Sequence, residues 1–443
     1  MRSSLLVASL GVLCGMLFGS AQADEPVDKA ADTPPVKRPV LKLPALPAIQ
    51  IRAAIAAAVD SAPEPAAAAT HDTLRTVEVR GESGGKLQTL SATADGKIVC
   101  LVGPDRYAVA GATAKAAASE IRVLDSEGKE LSKWKLNFTG NSVGVAPDGS
   151  IYAAGDGRLA RFSADGKLLG ETELPHLAAA LKDKEAFRQQ AEDQLKAQAE
   201  AVANSQKVIA EQVKRLEDKG DSATALEKRQ LESYRTVLKS YSDRANASPA
   251  QVDAMVKSLT ARMRIINAIA PTDKEVYIAC GEMKGYGYAI WRMDTSFKNA
   301  KQILSGVPGC CGQMDVQADS SGIYLAENTK KRVAHYDRDG KELGAFGVSG
   351  RESNGLSFGG CCNPMNCRIC STGEILTAES EGIVKRFSAK GEFLSLVGYA
   401  KLTGGCKNVA VAASPKSDRV YFCDLPGSRV IILGAKKTEV AGE

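Results

Sequence analysis

The chain has 443 residues and a formal charge of +5, with Lys and Arg scattered among Asp and Glu. That balance excludes the concentrated basic footprint of a nucleic-acid binder, and the length admits one large or several small domains. Past the N-terminal segment, no apolar run reaches the length of a membrane span.

Residues 1–23 read as a secretory signal. Arg2 precedes an apolar run from Leu5 to Phe18, and Ala21-Gln22-Ala23 offers small residues for cleavage before Asp24. An uncleaved anchor is the alternative. A lipoprotein site is disfavoured because Leu13, not a small residue, precedes Cys14. Cleavage removes Arg2 and leaves +4, and it leaves ten of the eleven cysteines, an even number. Exported cysteines are oxidised by default.

Residues 24–71 hold eight of the seventeen prolines and much alanine. Proline at that density removes backbone donors and breaks helices and ladders, so this stretch reads as a disordered linker, suited to tethering at a membrane or wall. His71 falls within it. Leu74-Arg75-Thr76-Val77-Glu78-Val79-Arg80 then alternates apolar and polar, as a half-buried strand does.

From there a unit of about forty residues recurs: short apolar strands joined by Asp-Gly or Lys-Gly turns, which make antiparallel hairpins. Residues 140–170, 309–347 and 360–398 show it best, and 87–137, 264–305 and 405–434 are weaker copies. The last copy supplies only three strands. The strand at 73–80 is expected to complete it and so remove an open sheet edge. The predicted fold is mainly β, a six-bladed β-propeller over 72–175 and 263–437.

Residues 176–262 interrupt the repeat with a helical composition. Leu195, Val202, Ile209 and Leu216 recur every seven residues; Leu231, Tyr234, Leu238 and Tyr241 follow a similar pattern after Gly220. An inserted coiled-coil-like hairpin is expected, with Ser248 and Pro249 opening a third helix. It is either a self-contained spacer or a partner-binding lid, rising from the face on which innermost strands begin.

The segment IYLAENTKKRVAHYDRDGKELGAFG (323–347) resembles an NHL repeat, and 375–398 and 151–170 resemble it more loosely. The resemblance covers about half of the repeat region and implies a six-bladed propeller of the TolB-like kind. Similar folds bind proteins, RNA or sugars, and some are lactonases or lyases, so the likeness does not select a function.

Gly309-Cys310-Cys311-Gly312-Gln313-Met314-Asp315 recurs as Gly360-Cys361-Cys362-Asn363-Pro364-Met365-Asn366, and in short form as Gly405-Cys406-Lys407-Asn408. A gapless register matches Cys310 with Cys361, Cys311 with Cys362, Met314 with Met365, Asp315 with Asn366 and Gly322 with Gly373. Each copy precedes an innermost strand, so five cysteines are expected on one face around the funnel, with Asp315, Asn366 and Asn408 beside them. Three chemistries remain open: disulfides within or between blades; Cu or Zn held by thiolates with Met314 and Met365 nearby; and a redox-active dithiol. Cys362, Cys367 and Cys370 have the spacing of an iron–sulfur motif. The register sets Cys367 in a strand and Cys370 at a turn about 10 Å on, which no cluster tolerates. Cys100, Cys280 and Cys423 read as core residues.

His71, His176 and His335 lack partners at catalytic spacing, and Glu327, Glu379, Asp424 and Asp156 recur where an acid holds a turn. The functional expectation is a non-enzymatic exported scaffold that binds an extracellular or periplasmic protein or other ligand through its cysteine-rich face. The alternative is a metal-dependent or redox enzyme, lactonase- or lyase-like, working in the same funnel.

Overall fold

Short hairpins build the molecule, and their turns show why. Gly96, Gly128, Gly149, Gly166, Gly340, Gly373 and Gly391 all have φ between +80° and +92°, a region costly to any residue with a Cβ. Acceptors at the turn's start complete the geometry. Asp125 Oδ1 accepts from the Glu127 and Lys129 amides at 2.9 and 2.8 Å, and Asp337 Oδ1 accepts from Asp339 and Lys341 at 2.9 Å each.

The computed structural model describes residues 68–105, 118–242, 248–283, 287–350, 355–360, 362–403 and 409–436. The linker and signal expected before residue 68 lie outside these. Among the described residues the strands, β1 (His71–Glu78) included, fall into six four-stranded antiparallel sheets and one two-stranded pair. The first holds β2 (Lys86–Ala92), β3 (Ile98–Gly103), β4 (Glu120–Leu124) and β5 (Glu130–Lys135). The second holds β6 (Ser142–Val145), β7 (Ile151–Gly155), β8 (Arg158–Phe162) and β9 (Leu168–Glu173).

Four helices follow: α1 (Pro175–Leu181), α2 (Lys184–Glu217), α3 (Ala225–Ser242) and α4 (Pro249–Met263). The third sheet is β10 (Ile266–Pro271), β11 (Glu275–Gly281), β12 (Tyr288–Asp294) and β13 (Lys301–Val307). The fourth is β14 (Val316–Asp319), β15 (Gly322–Glu327), β16 (Arg332–Tyr336) and β17 (Glu342–Phe346). A small parallel pair, β18 (Val348–Ser349) with β19 (Ser357–Phe358), had no signature in the sequence. The fifth sheet is β20 (Asn366–Ile369), β21 (Ile375–Ala378), β22 (Ile383–Phe387) and β23 (Phe393–Tyr399); the sixth is β24 (Val409–Ala413), β25 (Arg419–Asp424) and β26 (Arg429–Ala435).

The first strand of each sheet lies beside the first strand of the next, and β24 lies beside β2. Four-stranded meanders whose innermost strands form a closed circuit define a β-propeller. Second strands such as β3, with Ile98, Val99, Leu101 and Val102, and β15 are buried along their length, because neighbouring sheets cover both faces. Outermost strands such as β5 and β9 are largely exposed.

β1 pairs antiparallel with β26 and forms the outer edge of the sixth sheet. It begins at His71, not Thr73, and His71 leaves the linker: its Nε2 lies 2.9 Å from Ser417 O, and it is buried. Nor is the strand half-buried. Leu74 is 52% exposed, and the apolar anchors are Val77 and Val79, packed on the core between the first and sixth sheets. Alternation misreads an outer strand because only one of its edges and part of one face meet protein.

Residues 185–258 form a helical unit of their own. Two capping boxes fix its helix starts. Thr224 Oγ1 accepts from the Glu227 amide while Glu227 Oε2 accepts from the Thr224 amide at 2.9 Å. Ser248 and Gln251 repeat the exchange, with Gln251 Oε1 accepting from Ser248 N at 2.6 Å. Leu195, Val202, Ile209, Leu216, Leu231, Tyr234 and Leu238 are all only half-buried, a modest seam. Among the described residues no helix is long and apolar enough to cross a membrane.

If β1 closes the circuit, a chain beginning at Val79 should be less stable than one beginning at Ala68 by more than about 3 kcal/mol, since a whole ladder of backbone hydrogen bonds is lost. It should also aggregate with concentration through the bared β26 edge. Chemical denaturation and light scattering on the two truncations check this.

Candidate functional site

The innermost strands surround a polar channel to which each of them, or the residue just before it, contributes. Its walls carry Gln88, Asn141, Asn267, Gln313, Asp315, Gln317, Asn366 and Arg368, enclosing about 570 Å³ of space open to solvent. Several of these polar groups join one sheet to the next. Gln313, buried, donates through Nε2 to Met365 O at 2.8 Å and Val409 O at 2.7 Å, and its Oε1 accepts from Val409 N at 3.1 Å. One side chain thus ties the fourth, fifth and sixth sheets.

Asp315 and Asn366 occupy the same position in successive sheets and do the same work. Asp315 Oδ2 accepts from the Cys367 amide and Asn366 Oδ1 from the Val411 amide, each at 2.9 Å. Both were read as ligand-face residues. They do line the channel, but each commits an oxygen to holding the next innermost strand. Burial pushes the Asp315 carboxyl up to about 7, opposed by the Cys367 amide and the Arg368 charge. Arg368 reaches Gln317 Oε1 at 3.2 Å and Ser91 Oγ at 3.3 Å, and burial lowers its pKa from the usual range.

The first cysteine turn reaches the channel through Gly312 and Gln313, which line it, and stands at its rim. Cys310 to Gln313 is a tight turn: the Gln313 amide bonds Cys310 O at 3.2 Å, and the central residues Cys311 and Gly312 have φ of +57° and +67°, as in a type I′ turn. A Cβ on Gly309 would meet the Tyr288 ring at 2.4 Å, so only glycine fits. Asn328 holds the turn from beneath. Its Oδ1 accepts from the Cys310 amide at 2.9 Å, and its Nδ2 donates to Cys310 O at 3.3 Å and Gln313 O at 3.2 Å. The turn abuts the third sheet's start, where Asn267 Nδ2 donates to Gly312 O at 2.7 Å.

This framework brings three sulfurs together. Cys311 Sγ is 2.9 Å from Cys362 Sγ, Cys362 Sγ is 3.1 Å from Cys310 Sγ, and Cys310 Sγ is 3.6 Å from Cys311 Sγ. Cys311 is exposed and Cys362 buried. Cys361, Cys406 and Asn408 lie outside the described residues. Met314 is buried in the core between the third and fourth sheets; Met365 Sδ takes a weak bond from Asn328 Nδ2 at 3.9 Å.

The gapless register fails at one point. Gly322 pairs with Asp319 inside the ladder, whereas Gly373 sits in the turn after Cys370. The fifth sheet's first hairpin therefore carries one more residue. Cys367 lies in β20 and Cys370 just past it; Cys100, Cys280 and Cys423 lie in second strands. Burial pushes the Cys100 thiol up to about 12 and raises those of Cys280, Cys367 and Cys370, so these four are poor nucleophiles and ligands.

The remaining candidates hold structure. Glu327 is buried against Arg332 and accepts from Tyr336 Oη at 2.8 Å; Glu379 pairs with Lys385 at 2.7 Å, and Asp424 with Arg429. Exposed Asp156 pairs with Arg264 at 3.1 Å. Burial lowers the pKa of His176, whose Nε2 lies 2.8 Å from Met263 O, and His335 stacks on Tyr324 with ring centres 4.2 Å apart. Sequence reasoning passed over Asn328, Gln313 as a bridge, Asn267 and Arg368; a lone polar residue beside a strand carries no periodic signal.

No protein-family model matches the chain, and no curated protein matches it. Solved structures similar to it are β-propellers at low identity. A catalytically inactive virginiamycin B lyase from Staphylococcus aureus with quinupristin is 10% identical over 83% of this chain and 90% of that one, with a TM-score of 0.38. The β-propeller domain of Cps50 (Swd1) from Myceliophteria thermophila is 10% identical over 83% and 100%, with a TM-score of 0.40. A Bacteroides thetaiotaomicron protein of unknown function is 9% identical over 84% and 73%, with a TM-score of 0.46. At these scores the propeller assignment rests on the sheets themselves.

Asp315 carries a pH signature. Its folded carboxyl titrates near 7 and its unfolded one near 3.8. Between those values the unfolded chain ionises while the folded one keeps its proton, so stability falls as pH rises from about 4 to about 7, by at most about 4 kcal/mol. Asp315→Asn, which retains the oxygen facing Cys367, should flatten that decline; denaturant midpoints of both proteins from pH 4 to 8 measure it.

Proposed function

We propose that the chain is an exported, NHL-like, six-bladed β-propeller that serves as a binding scaffold, its ligand face being the cysteine-rich rim of the channel. The observation that carries this reading is the ring of amide side chains at the channel, contributed by successive innermost strands and backed by a turn that Asn328 and Gly309 hold rigid. A preformed concavity with a few fixed polar groups is the usual form of a binding site. The six four-stranded sheets support the blade count. Cleavage after Ala23 would export the chain, and the proline-rich stretch would tether the propeller at a membrane or wall. A periplasmic or extracellular protein, or another ligand rich in hydrogen-bonding groups, is the partner.

A lactonase- or lyase-like enzyme would need Asp315 and Asn366 for substrate or metal. Their hydrogen bonds to the Cys367 and Val411 amides count against that use. The helical unit is either spacer or partner-binding element, and its connection between β9 and β10 suits both.

A photo-crosslinking residue at Asn267, on the rim, should capture one discrete partner in cells, whereas the same residue at Leu131, exposed on outer strand β5, should not. Equal labelling from both positions would remove the ligand-face reading. Cell fractionation with N-terminal sequencing should find the protein outside the cytoplasm and beginning at Asp24; a cytoplasmic chain that keeps Arg2 would remove the export.

A further inference from the structure

We propose that Cys310, Cys311 and Cys362 form a three-thiolate site for a soft cation, Zn(II) or Cu(I), that clamps the channel rim between the fourth and fifth sheets. The inference deepens the ligand-face reading and rests on it only for its purpose, since the cation needs no partner to bind.

The geometry carries it. With sides of 2.9, 3.1 and 3.6 Å, the circle through the three sulfurs has a radius of about 1.9 Å. A cation about 2.3 Å from each sulfur then sits about 1.3 Å off their plane with S–metal–S angles of about 80° to 100°, and spreading the closest pair by about 0.9 Å opens the set to a tetrahedral face. All three donors are used alike. A disulfide would engage two sulfurs, draw them almost an ångström closer than the nearest pair stands, and leave the third pressed against the bond. Sulfur is the donor class that selects these cations over calcium or magnesium.

The support around the donors is built as a ligand set requires. Cys310 is held at both its amide and its carbonyl by Asn328. Cys311 is turned toward the cluster by its left-handed φ and by the glycine after it. Cys362 comes from the loop before β20 and is fully buried. The cluster thus joins two loops that no backbone ladder connects, each leading into an innermost strand. Binding replaces thiol protons with the metal and releases them to solvent, with no change of oxidation state.

The test uses the exported chain, residues 24–443, purified, reduced and handled without oxygen. Zn(II) and Cu(I) are titrated separately against chromophoric chelators, and thiol reactivity and the thermal midpoint are read with and without metal. One equivalent of one cation should bind, protect three thiols and raise the midpoint, and the tighter arm identifies the cation. Cys311→Asn keeps the left-handed turn that asparagine tolerates and should weaken binding by more than about 100-fold, beyond what loss of a ligand's support costs. Cys100→Ala, a core thiol of the first sheet, should bind as the wild type does. The proposal is overturned if the folded wild type binds neither cation, if Cys311→Asn binds equally well, or if peptide mapping finds Cys311 and Cys362 joined in the protein as isolated. Failure to crosslink a partner at Asn267 would count against the ligand face and leave these titrations unchanged.

Discussion

A four-stranded sheet with apolar residues on both faces cannot stand alone in water. Each sheet here buries one face on the sheet before it and the other on the sheet after it, so the stack is stable only if it returns on itself. The antiparallel pairing of β1 with β26 is the topological consequence of that demand: the strand that begins the propeller is the outer strand of its last sheet. The first and last strands are thereby drawn into one ladder, and the edge that would recruit another chain is covered along β26. The near-total burial of β3, β15 and β25 follows from this circuit rather than from their own hydrophobicity.

Among the described residues no backbone ladder joins one innermost strand to the next. Side chains fill the gap. The oxygens of Asp315 and Asn366 take amides of the following strand, and Gln313 spans two junctions at once. Burial holds the Asp315 carboxyl above the usual carboxylate range, against the pull of the Cys367 amide and the Arg368 charge. The polarity of the channel is therefore partly structural.

Much of this was legible in the residues, and the reasons are physical. Asp-Gly and Lys-Gly pairs mark hairpins because left-handed φ is cheap only for glycine, so the strand order and the repeat could be read directly. The acidic residues Glu327 and Asp424 were readable as turn holders for the same reason: they sit at a fixed offset from a strand's end. Burial of an outermost strand was not readable, since the alternation around Leu74 looks the same whether one face or none is covered. The extra residue in the hairpin before β21 escaped notice because glycine occurs at matching positions for different purposes, inside the ladder at Gly322 and in the turn at Gly373. Asn328 has no pattern to betray it; its role exists only once the turn it supports has folded.

The cysteines show where one-dimensional register stops. Aligning repeats pairs Cys310 with Cys361 and Cys311 with Cys362, which invites a reading in equivalent twos. Space gathers a different set, both cysteines of one turn with Cys362 of the next loop, because the type I′ turn throws Cys311 back over Cys310 while the neighbouring loop delivers a buried sulfur between them. Equivalent positions in a ring point the same way about the axis and so stand apart; groups meet only where one sheet's loop overhangs its neighbour's. A site between adjacent sheets must therefore break the repeat. Here the break is local: Cys310, Cys311 and Cys362 all precede innermost strands, and the spatial set takes two sulfurs from one copy and the second from the next.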